Sequence, residues 1–192
     1  MAHFYEASTM CTWALQELVT LLPMSNLTDV AVLKRLYVFA TDADQRLCQI
    51  FKEYWLQLVE SSADPVEWLI AAKDIRDEYL QAHAYFHILK KTNAEIRAEP
   101  RLSTIDKLRL NIGTTNLRRY QVDGCGCVNP HYYGHICGHT QDPDQWSPKT
   151  RAPLQANYGT LSLWDMFTRS PMGFDLTDGV ELVMPGAKWG ES

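Results

Sequence analysis

The sequence predicts a mainly α protein: an N-terminal antiparallel helical bundle followed by an irregular, zinc-stabilised C-terminal module with little β structure. Three observations predict it. Apolar residues recur at three- and four-residue spacing through residues 4–98, the period of amphipathic helices. Turn-forming residues such as Pro171, Gly173, Gly179, Pro185 and Gly186 crowd the end of the chain. Between these regions, residues 124–139 hold three of the five cysteines and three of the six histidines.

Phe4–Leu22 places Cys11, Trp13, Leu15, Leu18 and Leu22 on one helical stripe, and Pro23 ends it. A second helix is expected from about Thr28 to Ala40, burying Val32, Leu33, Leu36 and Phe39. Thr41 and Asp42 offer caps for a third, through about Glu60, with Leu47, Ile50, Phe51, Tyr54 and Leu58 inward. Asp64-Pro65 with Glu67 is a helix start, because the carboxylate caps, proline suits the first turn and glutamate suits the positive end of the helix dipole. No proline or glycine follows until Pro100, so the next helix runs from Pro65 to about Ala98, either unbroken or jointed near Lys91-Thr92-Asn93. Its expected buried stripe is Val66, Leu69, Ile70, Ala72, Ile75, Tyr79, Ala84, His87 and Ile88. Short connections make an antiparallel bundle the economical architecture.

Pro100 divides the chain into residues 1–99, the bundle, and residues 100–192, a basic connector, a zinc-binding loop and a loop-rich aromatic tail. Ser103-Thr104 with Asp106 suits a short helix through about Asn111, although Lys107–Ile112 also alternates as a strand does. Thr115–Val122 reads as extended, and Leu161–Thr168 as one or two helical turns.

The zinc expectation rests on Cys125-Gly-Cys127 and Cys137-Gly-His139, which flank a nine-residue loop. Zinc takes about four N or S ligands in a tetrahedron, and two such pairs supply them. Gly126 and Gly138 let the backbone turn tightly enough to bring each pair to one ion. The expected ligands of a structural Zn²⁺ are Cys125, Cys127, Cys137 and His139, with His131 and His135 as alternates for the histidine position. The C-x-C spacing is tighter than that of common zinc fingers and differs from the C-x-x-C of redox pairs. A catalytic zinc needs an open coordination position, which four protein ligands do not leave.

The net charge of −5 gives no whole-chain attraction for nucleic acid or anionic lipid. Charge is uneven, however. Residues 100–119 carry Arg101, Lys107, Arg109, Arg118 and Arg119 against Asp106, a balance of +4, within an otherwise acidic chain. His83 and His87, four apart, share one helix face. They read as one core and one boundary histidine with ordinary hydrogen bonds rather than as metal ligands, since the glutamate of an H-E-x-x-H motif is missing. Cys11 and Cys48 lie among apolar neighbours and read as buried packing groups.

The first functional reading is a non-enzymatic interaction or regulatory protein whose zinc site orders a module that binds another protein. The alternative is a binder of single-stranded nucleic acid or RNA, with Arg118 and Arg119 on phosphates and Tyr132 and Tyr133 stacking on bases. A zinc-dependent hydrolase ranks third, because no general base lies close in sequence. The absence of a secretory signal pattern and of a long apolar run, with sparse unpaired cysteines, leads to the expectation of an intracellular protein, cytoplasmic or nuclear, without a membrane span.

Overall fold

The computed structural model describes residues 28–122 continuously, together with parts of 9–21, 151–156 and 160–176. The described chain is mainly helical, and its one β feature is an isolated antiparallel bridge between Arg169 and Asp175. It divides into two compact units, Met1–Ile96 and Arg97–Ser192.

In the first unit, Asp29 caps α1 (Val30–Ala43) by accepting from the backbone N–H groups of Ala31 and Val32. Asp44 ends α1 and caps α2 (Gln45–Ser61), so one extended residue separates the two helices. The cap therefore falls later than the Thr41-Asp42 expected from sequence. Asp64 caps α3 (Pro65–Asp74), with Pro65 in its first turn as expected. α4 (Glu78–Ile88) and α5 (Asn93–Ala98) follow. Thr92 and Glu95 form a reciprocal cap at the start of α5, which places a joint in the Lys91–Asn93 stretch.

The long helix expected from Pro65 onward also breaks a second time, at residues 75–77. Arg76 lies at φ 58°, in the left-handed region that non-glycine residues avoid. The Asp77 N–H reaches back to the Ala72 carbonyl, and the Arg76 N–H to that of Lys73. This is the Schellman arrangement that ends helices, with arginine where glycine is usual. Asp77 then caps α4 through the Leu80 N–H. With no glycine or proline at the joint, the sequence carries no breaker there.

The core of this unit gathers Leu33, Tyr37 and Ala40 of α1, Leu47, Phe51, Trp55 and Val59 of α2, and Trp68, Ala71 and Ala72 of α3, with Leu80 of α4. Trp55 sits edge-on between Tyr37, at 5.9 Å, and Trp68, at 5.2 Å. Such edge-to-face pairs contribute about 1 kcal/mol each beyond area burial. The α1 face differs from the expected one: Val32 and Phe39 are exposed, Phe39 to 65%, and Tyr37 takes the inward position. Ile50, Ile70 and Tyr79 are likewise more exposed than the apolar pattern implied. These helices carry apolar residues on more than one face, so periodicity alone does not choose the buried one. α4 is buried from Leu80 through Ile88 without interruption, and it packs on α2 and α3. A helix covered all round is the central element of its unit.

In the second unit, α6 (Thr104–Val122) and α7 (Leu163–Thr168) pack together. Ser103 and Asp106 form the expected cap, since Asp106 accepts from the Ser103 N–H and hydroxyl while its own N–H donates to Ser103 Oγ. The helix then continues to Val122, so the extended reading of Thr115–Val122 and the strand reading of Lys107–Ile112 are both corrected. Thr114 and Thr115 turn their hydroxyls back to the Leu110 and Asn111 carbonyls, which accommodates polar residues within the helix. Leu110 and Leu117 are buried on one side, and Asn116 Nδ2 donates to the Met166 and Arg169 carbonyls of the α7 end. Tertiary contact thus overrides the weak local preference of a Thr- and Asn-rich segment.

Candidate functional site

The six expected zinc positions, Cys125, Cys127, Cys137, His139, His131 and His135, lie outside the described residues, as do Tyr132 and Tyr133. Among the described residues, no group of three or more His, Cys, Asp or Glu side chains is placed to hold a metal ion. Arg118 and Arg119 fall in the last turns of α6. Among the other basic residues of that segment, Arg101 chelates the Glu99 carboxylate with two nitrogens at 2.8 Å. Lys107 donates to the Arg97 carbonyl at 2.9 Å. Arg109 is buried, lies 4.8 Å from the Trp164 ring centre and donates to the Leu176 carbonyl. Arg109 therefore works inside its unit, holding α6 to the residues around α7 through a stacked guanidinium. A basic sequence run is in this way partly converted into internal fastening.

The densest polar constellation of the described residues is centred on Asp77, at the joint between α3 and α4. Its Oδ2 accepts from the Tyr37 hydroxyl of α1 at 2.6 Å and from Lys52 Nζ of α2 at 3.0 Å. Its Oδ1 accepts from the Leu80 N–H at 2.9 Å. One carboxylate, its side chain 16% exposed, thus fastens three helices. Burial works to raise its pKa, but the bonds from Tyr37, Leu80 and Lys52, with the lysine charge, outweigh that and hold it below the ordinary value. Burial and the bond to Asp77 in turn push the Tyr37 phenol far above its ordinary range, so it serves as a permanent donor. Lys52 also sits 4.6 Å from the Tyr79 ring centre.

Tyr79, His83 and His87 follow at four-residue spacing along α4. The Tyr79 and His83 rings are 4.5 Å apart, and His87 meets the edge of Phe86 at 5.8 Å. Both histidines are 8% exposed, so the expected core-and-boundary division does not hold. No hydrogen bond from a described residue reaches either imidazole, in contrast to the ordinary bonding expected of them. Burial, foremost, lowers both to about 4, helped at His83 by His87 and Lys52 and at His87 by Lys90.

The sequence signalled part of this constellation: the His83/His87 spacing was legible, and Asp77 stood more than a turn upstream. Tyr37 and Lys52, on other helices and up to forty residues away in the chain, gave no local signal. Chemically, Asp77 has both oxygens engaged and its proton lost, so the cluster is built to hold helices together. No known protein family, curated protein or solved structure matches this chain.

Proposed function

We propose that this chain is a zinc-binding interaction protein, in which a helical unit carries an irregular C-terminal module ordered by a structural Zn²⁺. The observation that carries the reading is the pairing of Cys125-Gly-Cys127 with Cys137-Gly-His139 across a short loop. Two further features support it. α6 runs to Val122, so the chain leaves a helix end just before Cys125. The most concentrated polar group of the helical unit is spent on fastening helices, as in a scaffold. The module's partner is another protein, and the setting is the reducing interior of a cell, where thiolates remain available to metal.

Binding of single-stranded nucleic acid, by Arg118, Arg119, Tyr132 and Tyr133, is the weaker reading, because Arg101, Lys107 and Arg109 are occupied within the protein. The test is metal content by mass spectrometry, with thermal melts before and after chelation. One zinc per chain and a large loss of stability on chelation are expected, since structural zinc contributes about 10 kcal/mol or more in small modules. Cys137→Ala and His139→Ala should reproduce that loss. A chain that purifies without zinc, or melts unchanged after chelation, overturns the proposal.

A further inference from the structure

We propose that the outward face of α1 docks a second copy of this chain, with the two α1 helices antiparallel about a two-fold axis between Val38 and Phe39. α1 is apolar on both sides. Leu33, Tyr37 and Ala40 face the core. The other side carries Ala31, Val32, Val38 and Phe39, all exposed, with Phe39 bare to 65% and Val38 to 45%. A surface helix ordinarily turns polar groups to water, whereas a helix apolar all round is one that is covered. A contiguous apolar patch of this kind marks a contact surface.

Charge names the occupant. Of the charged residues of α1, Lys34 is turned to Asp74 of α3 at 2.8 Å and works within its own unit. Arg35 and Asp42 are exposed, and no described residue engages either side chain. They stand almost two full turns apart, so both share the outward stripe with Ala31 and Val38. Their axial separation is about 10 Å, and Val38 and Phe39 lie midway between them. A two-fold contact is self-complementary, so in an antiparallel pair centred there Val38 meets the Phe39 of the second copy. Arg35 then meets the Asp42 of the second copy, once on each side of the axis. A parallel pair would set Arg35 against Arg35 and Asp42 against Asp42, so charge selects the antiparallel arrangement. A partner of uniform charge would satisfy one of these residues and repel the other.

The size of the face sets the strength of the contact. α1 has 14 residues, about 21 Å of helix. One such helix laid on another covers less than the roughly 800 Å² per partner of a standard stable interface. The dimer is therefore reversible, with a dissociation constant on the order of 100 µM. Pairing needs no rearrangement of the unit, since Leu33, Tyr37 and Ala40 keep the core side.

The test uses the full chain with a reducing agent, in sedimentation equilibrium from about 10 µM to about 1 mM. A monomer–dimer equilibrium is expected. It should be unchanged by chelation, which separates this outcome from the zinc reading. Phe39→Ser, at an exposed position that leaves helical circular dichroism intact, should weaken association about tenfold or more. Arg35→Asp and Asp42→Arg each set like charges together on both sides of the axis, and each should weaken it by about tenfold. An equimolar mixture of these two variants should pair again. The double exchange Arg35→Asp/Asp42→Arg should restore self-association, since every charge once more meets its opposite. A chain that stays monomeric at about 1 mM overturns the proposal. So does a dimer that ignores Phe39→Ser, fails to return on charge exchange or dissociates on chelation.

Discussion

Removing the Asp77 carboxylate is the most searching perturbation of the helical unit, because three helices share it. In Asp77→Ala the Leu80 N–H loses its cap, a change that costs about 1 kcal/mol. The hydroxyl of the buried Tyr37, donating at 2.6 Å, loses a bond to a charged acceptor, worth about 1.5–3 kcal/mol. The Lys52 pair adds about 0.5 kcal/mol, since its side chains are 21% and 16% exposed and water still screens them. These bonds share two oxygens and are not independent, so the expected total is about 3 kcal/mol rather than the full sum. With a urea dependence of about 2 kcal/mol per molar, the midpoint should fall by about 1.5 M. Asp77→Asn keeps an oxygen able to cap α4 but no negative charge for Lys52, so about half the loss is expected. Helical circular dichroism through a urea titration reads both variants, and exchange in α4 peptides confirms which unit has opened. A change of less than about 0.5 kcal/mol in Asp77→Ala would refute the view that this carboxylate fastens the helices.

Two more predictions follow from local geometry. Arg76→Gly should stabilise the chain by about 0.5 kcal/mol: relief of about 1 kcal/mol of left-handed strain exceeds the added freedom of the unfolded chain. A lower urea midpoint in that variant would contradict the Schellman assignment. Asn116→Ala should cost about 2–3 kcal/mol and loosen α6 and α7 together, because it leaves the buried Met166 carbonyl without its 2.8 Å donor. Hydrogen exchange of peptides from both helices checks this, and loosening of α6 alone would count against the shared fastening.

The elements legible in the sequence are those whose signals are local. Asp64-Pro65 and the Ser103/Asp106 cap each act within a turn or two of chain, and each is seen where it was read. α2 was legible as a helix, but it buries Leu47, Phe51, Trp55 and Val59 rather than the expected stripe through Ile50, Tyr54 and Leu58. The joint at Arg76 was hidden because its usual glycine is absent and tertiary contacts hold the strained residue. The second half of α6 was hidden for a related reason. Its helix is supported by Asn116 reaching carbonyls fifty or more residues later, which no window of neighbouring residues contains. The Asp77 constellation was half legible, since the histidine spacing lies along one helix while Tyr37 and Lys52 arrive only when α1 and α2 fold against it.

The fastening of α6 to α7 has a consequence for the cysteine-rich stretch between them. Asn116 ties the strand of chain entering that stretch to the strand leaving it, so residues 123–162 begin and end at fixed points. A tethered segment explores a far smaller volume than a free one of the same length, and its donor atoms keep a high effective concentration for one another. In the proposed zinc site, an ion held by Cys125 and Cys127 would face Cys137 and His139 at a higher effective concentration than in an untethered segment. On the proposed zinc reading, the helices at either end would lower the entropic cost of assembling a coordination shell, whichever histidine completes it.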